Sequence, residues 1–162
     1  MLRPSRRIRS PDFSQLFSVP AALLSLEAGA GTISSYLVGS TGTLTALEAS
    51  LPTLGGASCW DAITPDGRFV YTSNSGNSTI SGFSITGAGV LTPVGTTVVA
   101  SYPAGATNLD LTISGDGKFL YTLNSGTGTV GMFAINADGT LKTLGVLGGL
   151  PPSAGFNGIA AL

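Results

Sequence analysis

A chain of 162 residues, 43% hydrophobic and only 9% charged, holds enough apolar material for one packed domain and little solvated surface. Its charge is uneven: Arg3, Arg6, Arg7 and Arg9 against Asp12 leave +3 before residue 20, while Arg68, Lys118 and Lys142 against seven acids leave −4 in the remainder. An acidic body excludes nucleic acid as a partner, the lack of any histidine excludes imidazole as general base or metal ligand, and a single cysteine, Cys59, excludes an intrachain disulfide.

The first 20 residues are Arg-rich and show no strand alternation. The apolar patch "AALLSL", bracketed by Pro20 and Glu27, is at the short limit of a signal-peptide core. Residues 1–20 therefore read as a disordered basic tail or a degenerate targeting segment, and the compartment is unknown. No apolar run approaches the ~18 residues of a membrane-spanning helix.

The body is built from a repeat. "DGRFVYTSNSGNSTISGF" (Asp66 to Phe83) returns as "DGKFLYTLNSGTGTVGMF" (Asp116 to Phe133) fifty residues later. Asp66-Gly67 and Asp116-Gly117 signal tight turns. Phe69 and Tyr71, like Phe119 and Tyr121, alternate along a strand. Asn74-Ser75-Gly76 and Asn124-Ser125-Gly126 make the next turn, and a further strand follows through Ile80, Phe83 and Ile85, or Val130, Phe133 and Ile135. Gly89 and Gly139 then turn the chain into a fourth strand. Each unit is a four-stranded antiparallel meander, which cannot bury both faces alone and so repeats in order to stack.

A degenerate copy lies upstream, where "ALLSLEAGAGTISSYLVGSTGTL" (Ala22 to Leu44) aligns with Phe69 to Leu91, with Glu27 in place of the asparagine. A partial copy closes the chain: "PPSAGFNGIAAL" (Pro151 to Leu162) resembles "YPAGATNLDLTI" (Tyr102 to Ile113), which leads into an innermost strand. The fold class is thus all-β, with propeller-type blades over about 21–54, 55–101 and 105–150, a closing strand over 156–162, and twelve strands in all. Three blades are fewer than the four to eight of a closed propeller. The open blade faces and the C-terminal strand are therefore candidates for self-association.

The stretch from "GGASCWDAITPDGRFVYTSN" through "NGIAAL" resembles the lactonase-type seven-bladed β-propeller family, which includes propeller 6-phosphogluconolactonases, and its "Y-T-x-N" core resembles the YVTN repeats of surface-layer propellers. The resemblance covers about Ala22 to Leu162 and implies the last three of seven blades. Enzymes of that family carry histidine, arginine and acids at the inner ends of their blades. At the corresponding places this chain reads "GGASCWD" (Gly55 to Asp61) and "GATNLDL" (Gly105 to Leu111), with Ser58 or Asn108 where histidine would stand. No catalytic set carries over, and no metal site or cofactor is expected.

Trp60, Asp61, Asn108 and Asp110 remain as candidate channel-lining, ligand-binding residues, because each lies at or beside the start of an innermost strand. Two carboxylates there could share a proton or a cation, and Trp60 could stack on a ring-shaped ligand or cover the end of the core. Cys59 lacks an activating base and is expected to be a buried, inert thiol. Asp66 and Asp116 are expected to cap their own turns. The reading is a non-catalytic binding or structural module, with a small molecule such as a sugar lactone as its possible ligand. The alternatives are a lactone hydrolase and an oligomeric ring that binds its ligand on the shared axis.

Overall fold

The computed structural model describes residues 22–162, so the tail or targeting segment expected over 1–20 lies outside the described residues. Eleven strands run in chain order: β1 Ala22–Glu27, β2 Thr32–Val38, β3 Leu44–Pro52, β4 Ser58–Ile63, β5 Phe69–Asn74, β6 Thr79–Ile85, β7 Leu91–Ser101, β8 Asn108–Ile113, β9 Phe119–Asn124, β10 Thr129–Ile135 and β11 Leu141–Leu147. They form three antiparallel meanders: β1–β3 (blade 1), β4–β7 (blade 2) and β8–β11 (blade 3). Among the described residues no helix is long and apolar enough to cross a membrane.

The repeat forms its turns as its local chemistry dictates. Asp66 Oδ1 accepts Thr64 Oγ1 at 2.6 Å and the Arg68 N–H at 3.0 Å, while Gly67 N–H closes on Thr64 O at 2.8 Å. Asp116 repeats this with Ser114 Oγ at 2.7 Å and Lys118 N–H at 3.1 Å. These bonds hold the Asp116 carboxyl below the usual range. Both aspartates are turn caps.

The blades pack face to face. Val70, Phe83 and Leu91 of blade 2 meet Ile33 of blade 1 in one buried cluster. Phe69 and Tyr71 of blade 2 meet Leu111, Ile113, Leu120 and Phe133 of blade 3 in a second. Alternation along β5 makes both clusters possible, because successive residues face opposite blades. Gly139 marks the closest approach: a Cβ there would lie 2.5 Å from the Phe69 ring, its φ is +84°, and its carbonyl accepts the Tyr71 hydroxyl at 2.8 Å. A side chain would push blades 2 and 3 apart.

The twelfth strand does not form. Residues 148–162 carry no strand, and the segment expected to close the ring runs irregularly past β8. A strand needs a neighbour's open edge to complete its hydrogen bonds, and among the described residues none meets this one.

Candidate functional site

The inner edge of the arc is formed by β4 and β8, which lie side by side although they belong to different sheets. Each inner strand starts at a left-handed corner, Ala57 (φ 51°) or Thr107 (φ 48°). A non-glycine residue in that region costs on the order of 1–3 kcal/mol. The Asn-Ser-Gly turn holds the corner: Ser75 N–H donates to Ala57 O at 3.1 Å, and Ser125 N–H to Thr107 O at 3.0 Å.

Both inner strands then bulge. β4 pairs Ser58 with Asn74 and next Trp60 with Ser73, leaving Cys59 without an opposite residue; β8 does the same at Leu109. The bulge corrects one expectation. Cys59 is exposed, not buried, and its thiol donates to Ala57 O at 3.1 Å. It also fixes the register of the four candidates. Asp61 pairs with Thr72, as Leu111 pairs with Thr122, whereas Asp110 pairs with Leu123, as Trp60 pairs with Ser73. Adjacent strand residues point to opposite faces, so Asp61 and Asp110 occupy opposite faces of their strands and do not form a pair.

The four residues have separate environments. Trp60 is 38% exposed and belongs to neither buried cluster. Asp61 beside it opens to solvent, yet desolvation by the surrounding chain raises its carboxyl above the ordinary value. Asn108 is fully buried; its Nδ2 donates to Thr79 O at 2.7 Å, while its Oδ1 has no partner. Asp110 is 5% exposed, and both its oxygens accept main-chain N–H groups, Leu111 on Oδ1 at 2.7 Å and Ile159 on Oδ2 at 3.0 Å. It is a clasp for the C-terminal segment.

Behind the inner strands lies a polar centre that the sequence reading took only for turn chemistry. In blade 2, Asn74 Nδ2 donates to Ser81 Oγ at 2.8 Å and Thr79 Oγ1 at 3.0 Å, while its Oδ1 accepts Ser58 Oγ at 2.6 Å and Thr72 Oγ1 at 3.2 Å. In blade 3, Asn124 keeps bonds to Thr129 Oγ1 at 3.2 Å and from Thr122 Oγ1 at 3.3 Å. There Gly131 replaces Ser81, and the Tyr102 hydroxyl fills the space: a Cβ at Gly131 would lie 1.6 Å from that oxygen, which bonds Thr122 Oγ1 at 2.6 Å. In blade 1 the centre is Glu27, whose carboxylate accepts Ser34 Oγ at 2.5 Å and Thr32 Oγ1. Those hydroxyls hold the Glu27 carboxyl below the usual range. The repeated Asn-to-Glu position was visible in the sequence; its burial was not.

A recess of about 260 Å³ lies at the Asp-Gly end, between blades 2 and 3, with Arg68, Lys118 and Asn136 in its lining. Arg68 is occupied there: it donates to Ala137 O at 3.0 Å and lies 5.0 Å from the centre of the Phe69 ring. Among the described residues no three histidine, cysteine, aspartate or glutamate side chains gather as a metal site.

Four-stranded meanders stacked face to face with their first strands inward define a β-propeller. Residues 21–148 match the family described as "Lactonase, 7-bladed beta-propeller", and the chain belongs to that family. Similar solved structures include a functionally unknown protein from Desulfotomaculum acetoxidans, with a TM-score of 0.72 and 21% identity over 83% of this chain and 40% of that one. A putative 6-phosphogluconolactonase from Bacteroides fragilis gives a TM-score of 0.66 and 25% identity over 78% of this chain and 40% of its own. The periplasmic gluconolactonase of Pseudomonas aeruginosa gives 0.59 and 20% identity over 78% and 37%. This chain thus spans well under half the length of the structures it resembles. No curated protein sequence matches it.

Proposed function

We propose that the chain is a non-catalytic binding module of the lactonase family, holding a sugar lactone or its open acid on the exposed face of Trp60. The observation that carries this reading is the fate of the inner-strand acids. Asp110 is committed to two main-chain donors, and Asp61 has no cationic partner among the described residues. Lactone hydrolysis needs a base to activate water and a donor to stabilise the developing oxyanion. The basic side chains of the body serve elsewhere: Arg68 and Lys118 pair with the turn aspartates, and Lys142 is on the outer strand β11. An exposed aromatic face at the inner end of the blade suits a polyhydroxylated ring instead, since the ring's C–H face lies on the indole. The likeness to a putative 6-phosphogluconolactonase supports sugar lactones as the class.

One observation favours a second reading, lactone hydrolysis with Asp61 as base: its raised carboxyl makes it a stronger proton acceptor than an ordinary aspartate. A single assay pair separates the two. Trp60 is the only tryptophan, so its fluorescence reports directly on the site. Titration with gluconate and 6-phosphogluconate should shift or quench Trp60 emission, and Asp61→Asn, on the opposite face of β4, should leave the response unchanged. Hydrolysis of glucono- or 6-phosphogluconolactone should stay at the spontaneous rate. Turnover above that rate, abolished in Asp61→Asn, would establish the hydrolase instead.

A further inference from the structure

The recess at the Asp-Gly end is walled by contacts between blades 2 and 3, and its polar groups have bonding capacity left over. On one side the turns that follow β4 and β8 touch: a Cβ at Gly117 would lie 3.3 Å from Pro65 Cδ. On another side Arg68 of blade 2 reaches the Ala137 carbonyl, in the turn between β10 and β11 of blade 3, at 3.0 Å. That bond and the neighbouring Phe69 ring fix Arg68 in place, yet they use only one of its five N–H donors.

The two cations are held loosely by their own turns. Arg68 Nη1 stands 3.8 Å from Asp66 Oδ2, longer than a hydrogen bond, and Lys118 Nζ stands 3.3 Å from Asp116 Oδ2. Their side chains are 59% and 72% exposed, and ion pairs so open to water are readily exchanged for another anion. Two acceptors share the lining with them. Thr64 Oγ1 and the Arg68 N–H both donate to Asp66 Oδ1, which leaves Asp66 Oδ2 open to a further donor. Asn136 spends its Nδ2 on Thr140 Oγ1 and keeps its Oδ1 as an acceptor. Phe69 and Ile135 supply the apolar part of the lining.

We infer that this recess binds a small hydroxycarboxylate, whose carboxylate bridges Arg68 and Lys118 while its hydroxyls donate to Asp66 and Asn136. Two cations against one acid in the lining leave a single positive charge, which suits a monoanion. A phosphate group, with a charge of about −1.5 to −2, is disfavoured beside Asp66. The guanidinium fork matches the two oxygens of a carboxylate, and the carbon skeleton lies against Ile135. At about 260 Å³ the recess is smaller than the ~300–1,000 Å³ of pockets for drug-sized ligands, so the occupant has only a few carbons. Trp60 is four residues before Thr64, about 13 Å along an extended strand, so this site is separate from the one proposed at Trp60 and does not depend on it.

The test is a titration of the whole ¹⁵N-labelled chain with glycerate at neutral pH, followed by NMR, with propionate and inorganic phosphate as comparators. Glycerate should give saturable shifts at the main-chain amides of Arg68, Lys118 and Asn136, with a dissociation constant on the order of 1 mM. The Trp60 indole signal should not move. Lys118→Gln leaves the bonds that join the blades intact and should weaken binding about tenfold, the loss of one charge-assisted hydrogen bond. Lys118→Arg, which keeps the charge, should restore most of it. Propionate, which lacks hydroxyls, should bind about tenfold more weakly than glycerate. Absence of saturable shifts, shifts centred on Trp60, equal binding in Lys118→Gln, or propionate or phosphate binding as tightly as glycerate overturns the inference.

Discussion

Replacing Asn74 with alanine removes the centre of the polar cluster in blade 2. Asn74 is fully buried and makes four side-chain hydrogen bonds, with Ser58, Thr72, Thr79 and Ser81. A typical buried hydrogen bond contributes about 0.5–1.5 kcal/mol net. Three of the four partners keep another bond after the change: Ser58 with Thr53 Oγ1 at 2.9 Å, Ser81 with Thr53 O at 2.5 Å, and Thr79 with Asn77 Oδ1 at 2.9 Å. Only Thr72 loses its side-chain partner, so the loss belongs in the lower half of the range, about 2–4 kcal/mol for four bonds. Asn124→Ala breaks two longer bonds, at 3.2 and 3.3 Å, and both partners retain alternatives in Thr127 and Tyr102. Its loss should be about 1–2 kcal/mol. Urea unfolding at one fixed protein concentration separates the two, since a slope of about 1–3 kcal/mol per molar turns 3 kcal/mol into a midpoint shift of about 1–3 M. Equal losses, or a greater loss for Asn124→Ala, would show that the hydrogen-bond count does not govern these sites.

Other perturbations test separate parts of the fold. Gly139→Ala puts a Cβ 2.5 Å from the Phe69 ring at a positive φ, and should lower stability by about 1–3 kcal/mol, read from the thermal midpoint. Tyr102→Phe removes the hydroxyl that bonds Thr122 Oγ1 while keeping the edge-on contact with Phe133 at 5.8 Å, and should cost about 1 kcal/mol in the same assay. Glu27 has a folded-state pKa below its unfolded value of 4.5, so its contribution is present above that value and is lost as pH falls through the folded pKa. Acid titration of stability should therefore be shallower below pH 4.5 in Glu27→Gln than in the parent; identical slopes would remove Glu27 from the linkage.

What the sequence made legible was local. The Asp-Gly turns, the alternation of Phe69 and Tyr71, and the fifty-residue period each involve residues near one another in the chain, and they suffice to order strands into blades. Cys59 was misread because its exposure depends on a bulge, and a bulge is a mismatch between two strands that neither strand announces alone. The burial of Asn74 was hidden in the same way. Its partners are spread from Ser58 to Ser81, and only the folded blade gathers them. Tyr102 precedes blade 3, and nothing local links it to the glycine at 131 whose missing side chain it replaces.

The candidate site was less legible than the fold for a related reason. Turn and core positions are repeated because stacking demands the same residue in every blade, so two copies reveal them. The starts of the inner strands escape that demand: Ser58-Cys59-Trp60-Asp61 and Asn108-Leu109-Asp110-Leu111 share a bulge and no residue. Comparing blades therefore could not tell that Asp110 clasps the C-terminal segment while Asp61 remains open. The two acids differ in what lies across from them, Ile159 N–H in one case and, among the described residues, no strand in the other.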